Sequence, residues 1–225
     1  MTEISIGTGK VLQFTWDVLD SNSYIMQSSY EAIIIDPIDS EELYSFAAGL
    51  RTANIFLTHA HYDHICGLTR IRDIICDTRV ICSKICNDSI QNPRKNLSFY
   101  AHSSLGFQGY HEKRNRVSPF ACSPADYTFE KYDFIEVLGH SVELYEFRGH
   151  SADSMGIVLD GKYFFSGDSL LNNPTTTRLP GGNRKVFIER ELPLFKSWVK
   201  KIELVFPGHG MPGDIISMTN NNKLI

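Results

Sequence analysis

The 225-residue chain has little of what marks a nucleic-acid-binding, membrane-spanning or disordered protein. Its 22 basic and 26 acidic residues give a formal charge of −4, so it lacks a basic excess and we expect no nucleic-acid partner. Its densest aliphatic run, Ala32–Ile35, is far too short to cross a membrane. Because 42% of the residues are hydrophobic and 21% are charged, a disordered chain is also excluded and a soluble globular protein is expected.

Cysteines are few and poorly placed for disulfides or for a zinc ribbon. There are five, an odd number, none of them in a CxxC pair, at positions 66, 76, 82, 86 and 122. The N-terminal residues show no basic start followed by an apolar run, so no secretory leader is visible. We therefore expect reduced, partly buried thiols in a cytoplasmic protein.

Short apolar segments alternate with amphipathic ones along most of the chain. Strands are predicted at Val11–Trp16, Tyr24–Gln27, Ala32–Asp36, Asn54–Leu57, Arg79–Cys82, Phe134–Leu138, Val142–Phe147, Gly156–Leu159, Tyr163–Ser166 and Leu204–Phe206. A helix is expected after Ser40, which can cap it, and further helices at 68–75, 83–90 and 186–200. The pattern predicts an α/β (α+β) protein of two sheets covered by helices, in a single domain over residues 1–225. Residues 92–128 lack a clear period and are predicted to form an insertion or lid.

The most informative stretch lies directly after a predicted buried strand, where residues 58–64 read THAHYDH. Imidazoles and carboxylates are the usual protein ligands of zinc and related divalent metals. In an extended backbone His59 and His61 lie on the same side, so one metal ion can take both. As the chain turns into a helix, Asp63 and His64 can face a second metal ion.

Three further motifs each place one possible ligand beside glycine at the end of a predicted strand. They contain His150 in RGHS, Asp168 in FSGD and His209 in PGHG. Glycine lets the backbone bend closely around a metal ion. Each motif is weak alone, but together and in this order they indicate a metal centre.

On these motifs the sequence resembles the metallo-β-lactamase superfamily, and in particular its glyoxalase II-like hydrolases, also called hydroxyacylglutathione hydrolases. The resemblance runs from about Asn22 to Gly210 and is poor over 92–128. It implies a four-layer αβ/βα sandwich with the metals at one edge between two sheets. It also implies a ligand set: metal 1 is bound by His59, His61 and His150, metal 2 by Asp63, His64 and His209, and both by Asp168 as a bridge. Asp36 would support the metal loop without binding metal itself.

Several residues narrow the subtype that the resemblance implies. True β-lactamases of the superfamily lack the bridging acid that Asp168 supplies, and flavodiiron oxidoreductases have Glu where this chain has His61. The segments FFSGDSL, LPGG and VFPGHG are similar to those of glyoxalase II and of small thioesterase-like relatives. Only 15 residues follow Gly210, too few for a helical glutathione-binding extension, and residues 151–153 read SAD where such relatives show Thr-Pro-Gly. Both departures count against glutathione thioesters.

The expected chemistry is acyl hydrolysis of a thioester, ester or lactone by hydroxide formed at two divalent metal ions. Zinc is the expected metal, with iron or manganese as alternatives. Asp63 and Asp168 are the candidate catalytic acids, because both are expected at the metals. A residual positive charge there favours a small-molecule substrate, an anionic one included. Candidate substrate contacts are Tyr110 in the predicted insertion and Arg178 in the loop after Asp168.

The sequence leaves other functions open. One is a mononuclear iron oxygenase acting on persulfides, which shares this ligand set. Less favoured are a nuclease, a β-lactamase and a non-catalytic metal-binding protein. The oligomeric state and the pathway cannot be derived from the sequence.

Overall fold

The computed structural model describes residues 1–7 and 9–222, in which two β-sheets are packed face to face between helices. The larger sheet has seven strands in the order β1 to β7: β1 (Thr2–Ile6), β2 (Gly9–Thr15), β3 (Asn22–Ser28), β4 (Glu31–Ile35), β5 (Thr52–Phe56), β6 (Asp77–Ser83) and β7 (Tyr127–Phe129). Its first four strands are antiparallel to one another, whereas β4 to β7 are parallel.

The smaller sheet has five strands in the order β12, β11, β10, β9, β8. They are β8 (Tyr132–Val137), β9 (His140–Glu146), β10 (Met155–Leu159), β11 (Tyr163–Gly167) and β12 (Leu204–Pro207). β11 and β12 run parallel, and the other neighbouring pairs are antiparallel.

The helices are short. They are α1 (Glu41–Ala47), α2 (Tyr62–Ile65), α3 (Leu68–Ile74), α4 (Lys84–Ile90), α5 (Ala101–Phe107), α6 (Arg184–Val186), α7 (Leu192–Ser197) and α8 (Ile215–Asn221). A π-helical turn, Phe187–Glu191, joins α6 to α7, and 3-10 turns lie at Ser98–Tyr100, Arg114–Arg116 and Trp198–Lys200. Ser40 caps α1 as predicted, because its hydroxyl oxygen accepts a hydrogen bond from the Leu43 amide.

Three layers of buried apolar side chains hold the sheets and helices together. The layer between the sheets contains Ile33 of β4 and Phe56 of β5 from one side and Ile157 of β10 and Phe165 of β11 from the other. A second layer lies between the larger sheet and α1, α3, α4 and α5, and a third between the smaller sheet and the helices from 187 onward. The order helix, sheet, sheet, helix confirms the predicted four-layer αβ/βα sandwich. Strands such as β4, with Ala32–Ile35 all buried, are apolar on both faces because both faces are covered.

The structure departs from the sequence-based expectation at several elements, since β7, α5 and α8 were not predicted. β1 was not predicted, and it forms an edge strand with only Ile6 buried. The predicted insertion, 92–128, contributes four buried residues to the apolar layer between the larger sheet and its helices: Ala101, Leu105, Val117 and Cys122. Its last residues also enter β7. The segment therefore packs as part of the sandwich, although its sequence has no regular period.

None of the helices in the described part of the chain is long and apolar enough to span a membrane. The five cysteines are free thiols, as expected, with Cys82, Cys86 and Cys122 buried and Cys76 exposed.

Candidate metal centre

The candidate site lies where strand ends from both sheets meet. β5 ends at Phe56, and the following loop carries His59 and His61 into α2, which carries Asp63 and His64. Loops after β9, β11 and β12 carry His150, Asp168 and His209, respectively. Because β11 and β12 are parallel, they end at the same edge of the smaller sheet. Residues distant in sequence therefore meet at one edge of the sandwich.

The Asp168 carboxylate lies at the centre of these side chains. Its Oδ2 is 3.5 Å from His150 Nε2 and 3.3 Å from His209 Nε2, and its Oδ1 is 3.5 Å from His64 Nε2. His59 Nε2 is 4.0 Å from Oδ2. Burial raises the pKa of Asp168, but the surrounding imidazoles, led by His209 and His64, outweigh burial and hold it well below its usual range.

Around Asp168 the other predicted ligands form two clusters, in each of which the donor atoms lie within 4.8 Å of one another. The first group consists of His59, His61 and His150. The second group consists of Asp63, His64 and His209. In the first group His150 Nε2 is 3.1 Å from His61 Nδ1, and in the second His209 Nε2 is 3.3 Å from His64 Nε2. The structure thus brings the seven predicted ligands to one place, where they lie in the two groups that the resemblance implied.

Four of the five imidazoles have Nδ1 held by a neighbour. Thr58 Oγ1 lies 3.0 Å from His59 Nδ1, and Asp36 Oδ2 lies 3.2 Å from His64 Nδ1. Likewise, carbonyl oxygens lie close to the Nδ1 atoms of two others, Thr176 O at 2.8 Å from His150 and Leu19 O at 2.9 Å from His209. Such partners fix the ring orientation and leave Nε2 free to bind a metal ion.

The residues fit a divalent metal ion. In the described part of the chain, His59 Nε2 and Asp168 Oδ1 are buried and have no hydrogen-bond partner. A buried polar atom without a partner is costly, and a cation between the ligands would supply one. A donor set of imidazoles and carboxylates suits zinc, iron or manganese.

Asp36 lies at the end of β4 in the left-handed backbone region, with φ of 50°. Its Oδ1 accepts a hydrogen bond from the Thr58 amide at 2.7 Å, and its Oδ2 accepts one from the Thr58 hydroxyl at 2.5 Å. Asp36 also belongs to a further cluster of possible metal ligands with His59 and His64. However, it faces Nδ1 of His64 rather than the nitrogen near Asp168, which places it as a support of the ligand loop.

Two buried acids support the ligand loops without having been identified from the sequence. Asp153 Oδ2 accepts a hydrogen bond from the Ala60 amide at 3.1 Å, within the loop of His59 and His61. Glu191, in the π-helical turn, accepts hydrogen bonds at Oε1 from the backbone amides of residues 148 and 149, directly before His150. The SAD sequence at 151–153 could have drawn attention to Asp153, whereas nothing local marks Glu191.

The two groups differ in protonation. Burial lowers the pKa of His59, of His61 and of His150, the last to about 4. Burial also opposes the charged form of His64 and His209, but the neighbouring carboxylates outweigh it and raise the pKa values to about 10 and about 8.

A cavity of about 550 Å³ opens above the cluster, and its floor includes His61, Asp63, His150, Asp168 and His209. Its size is typical of small-molecule sites. The two predicted substrate contacts are placed differently. Tyr110 lines the cavity, whereas Arg178 is exposed and is not among the lining residues.

The family model described as "Metallo-beta-lactamase superfamily" matches residues 16–209. The chain is 26% identical over 155 residues to a hydroxyacylglutathione hydrolase of Glaesserella parasuis, a match covering 68% of this chain and 51% of that protein. It is 27% identical over 216 residues to "Probable metallo-hydrolase YqgX" of Bacillus subtilis, covering 92% of this chain and 93% of that one. The chain thus spans about half the length of the first relative and nearly all of the second.

Among solved structures, the chain is similar to the BLEG-1 B3 metallo-beta-lactamase, with a TM-score of 0.74 and 24% identity, covering 95% of this chain and 98% of that one. At this identity the likeness shows the fold alone. The family match covers most of the chain and includes every predicted ligand, so the chain belongs to the metallo-beta-lactamase superfamily.

Proposed function

We propose that the protein is a metal-dependent acyl hydrolase that cleaves a thioester, ester or lactone at a pair of divalent metal ions. The observation that carries the proposal is the position of Asp168, whose carboxylate faces imidazoles of both groups within 4.0 Å. One carboxylate so placed is suited to bridging two cations. The relative named hydroxyacylglutathione hydrolase supports cleavage of an acyl bond.

In this proposal the first group would hold one metal ion, the second group would hold the other, and Asp168 would bind both. Zinc is the metal we favour. When bound, the pair would supply a water of lowered pKa and a Lewis acid for a carbonyl oxygen. Four histidines would bind metal through Nε2, because their Nδ1 atoms already have partners: His59, His64, His150 and His209.

Asp63 has a second role in the proposed reaction. Its Oδ2 lies 3.4 Å from His64 Nε2 and 3.5 Å from His209 Nε2, and the residue also lines the cavity. The carboxylate is therefore placed to orient an attacking water and to accept a proton from it. The chain then needs no serine or cysteine nucleophile.

The first experiment combines metal analysis of the purified protein with a panel of thioester, ester, lactone, β-lactam and phosphodiester substrates. The proposal expects about two equivalents of metal and release of acid from an acyl substrate. One iron per chain with oxygen uptake on a persulfide would instead show an oxygenase. Hydrolysis confined to β-lactams or phosphodiesters would contradict the proposal in favour of other activities of the superfamily.

The second experiment removes ligands. His59→Ala and Asp168→Ala should lose bound metal and hydrolysis together while the circular dichroism spectrum stays that of a folded protein. The matched control is His140→Ala, since that partly exposed histidine contacts Asp160 and lies outside the candidate site. If the wild type holds no transition metal and the ligand variants keep full activity, the proposal is wrong.

A further inference from the structure

The walls of the cavity above the metal centre are apolar. Away from the predicted ligands, its lining includes Leu19, Leu97, Tyr100, Tyr110, Leu171 and Leu179. No lysine or arginine is among the described residues that line it. An anionic substrate, which the sequence allowed, would therefore meet no lysine or arginine in these walls.

Three of the five basic side chains of the 92–128 segment have partners that do not line the cavity. Arg116 binds both carboxylate oxygens of Asp17, at 2.5 and 2.7 Å, and Lys113 donates a hydrogen bond to the Asp17 carbonyl oxygen at 2.5 Å. The Arg94 guanidinium lies 4.1 Å from the centre of the Phe99 ring. Arg94, Lys113 and Arg116 thus have partners outside the cavity lining.

Several polar groups of the walls already have hydrogen-bond partners. Gln108 Nε2 donates to Ser104 Oγ at 3.0 Å, so these two lining side chains are hydrogen-bonded to each other. The Thr176 carbonyl oxygen already faces His150 Nδ1. A charged group placed against these walls would lose water without gaining a charged partner, which is unfavourable, whereas each buried methylene is favourable.

We propose that this cavity binds a linear, uncharged acyl chain, with the scissile carbonyl at the histidine end. The proposal rests on the acyl hydrolase function proposed above and names its substrate class. Two segments would contact the acyl chain: the 92–128 segment through Tyr100 and Tyr110, and the loop after Asp168 through Leu171 and Leu179. The 92–128 segment then acts as an apolar wall that selects the acyl group.

The test uses the metal-loaded protein and N-acetylcysteamine thioesters, whose leaving group carries no charge. The acyl group is varied from acetyl to octanoyl, and a matched octanoyl analogue carries a carboxylate at its far end. We expect kcat/KM to rise about threefold per methylene. The terminal carboxylate should lower it at least about tenfold. Rates independent of chain length, or a preference for the carboxylate, would overturn the proposal.

Variants of the wall sharpen the test. Tyr110→Ala and Leu179→Ala, from the two segments that line the cavity, should each lower the ratio of octanoyl to acetyl kcat/KM. Either variant suffices if the other does not fold. Phe107→Ala is the control, because Phe107 is 92% exposed and does not line this cavity. Its ratio should equal that of the wild type. An unchanged ratio in both wall variants would contradict the assignment of the walls.

A binding measurement separates this inference from the proposed function. Octyl and ethyl thioethers of N-acetylcysteamine cannot be hydrolysed, and their affinity is measured by isothermal titration calorimetry. Tighter binding of the octyl compound, lost in the wall variants, supports the acyl site even if every thioester in the panel resists hydrolysis. Equal binding of both compounds overturns the acyl site whatever the hydrolytic result.

Discussion

The two halves of the candidate metal centre share Asp168 but differ in charge and exposure. In the first group every imidazole is buried and has a lowered pKa, because burial dominates. In the second group the pKa values of both imidazoles are raised, and the His209 side chain is 25% exposed. The first group is therefore ready to accept a cation, whereas the second holds protons that a cation must displace.

The difference arises from where the carboxylates lie. Asp63 belongs to the second group, and Asp36 faces Nδ1 of His64, the ring nitrogen away from Asp168. The first group has Asp168 as its shared acid, together with neutral supports such as the Thr58 hydroxyl and the Thr176 carbonyl oxygen. The same edge of one fold thus combines a site of neutral donors with a more acidic, more open one.

Among residues that are not themselves predicted ligands, the largest effect is expected from Gly208→Ala, which should damage the second group and the shared acid together. A Cβ at Gly208 would overlap Asp168 Oδ1 and lie 2.9 Å from His64 Cε1. Because Asp168 must move, we expect activity to fall about 100-fold. Metal content, measured by inductively coupled plasma spectrometry, should fall by about one equivalent.

The matched control for that substitution is Gly49→Ala. A Cβ there would be 3.6 Å from the Phe46 carbonyl oxygen, an ordinary contact far from the ligands. The hydrolytic activity and the metal content of Gly49→Ala should both stay at wild-type values. A Gly208→Ala protein with full metal content and activity would show that the close approach to Asp168 is unimportant.

A smaller effect is expected from pH. The raised pKa values of His64, about 10, and His209, about 8, mean that protons compete with metal in the second group at neutral pH. For each proton that the metal ion must displace, the affinity of the second group for metal should weaken about tenfold per pH unit below the pKa of the histidine concerned. The first group, whose imidazoles are neutral at the same pH, should keep its metal.

Dialysis against a weak chelator at about pH 9 and about pH 6 checks this expectation, with two equivalents of zinc retained at the higher pH and one at the lower. His209→Ala should abolish the second equivalent at both pH values. If both equivalents were lost together as the pH falls, the two groups would not differ as described.

The smallest effect on activity is expected at Glu191, which supports the first group from outside. Burial raises its pKa to about 7, so the folded protein binds this proton more tightly than the unfolded chain, for which the ordinary value is 4.5. The stability that this proton contributes is complete below about pH 4.5 and is lost as the pH rises through about 7, on the order of 3 kcal/mol. Glu191→Gln should remove this pH dependence, because the amide oxygen still accepts both backbone hydrogen bonds and does not titrate.

The measurement is the free energy of unfolding from urea titrations of metal-free protein at about pH 5 and about pH 8, for the wild type and the variant. Subtracting the two proteins cancels the histidines, which titrate in both. Equal losses of stability in the two proteins would mean that Glu191 titrates normally. Glu191→Ala, which leaves the amides of residues 148 and 149 without their acceptor, should lose about 2 kcal/mol relative to the wild type at about pH 5. Because alanine does not titrate, its free energy of unfolding should also lack the pH dependence that Glu191 gives the wild type.

Local sequence predicted the ligand loop well, because its information is contained in the spacing. His59, His61, Asp63 and His64 lie within six residues, and the end of β5 and the start of α2 orient them. The apolar strands were also predicted, since β4 and its neighbours are buried on both faces. By contrast β1 was missed, because an edge strand with one buried residue carries almost no hydrophobic signal.

Contacts between distant residues were not predictable in the same way. Glu191 accepts a hydrogen bond from the Gly149 amide, 42 residues away in the sequence. No periodicity connects the two residues. Similarly, Ala101 and Leu105 are buried in the core although the segment around them is rich in polar and aromatic residues without a period. In both cases the role of the residue depends on which distant part of the chain packs against it.

The sequence by itself determined which side chains can bind metal, because residue type and close spacing are local chemical properties. Only the tertiary structure decided how those ligands divide into a neutral group and an acidic one, because pKa values depend on burial and on charges brought close in space. It also decided that Arg94, Lys113 and Arg116 contact Phe99 or Asp17, while leucines and tyrosines line the cavity. Composition counts both kinds of side chain, but only packing determines which of them faces the cavity.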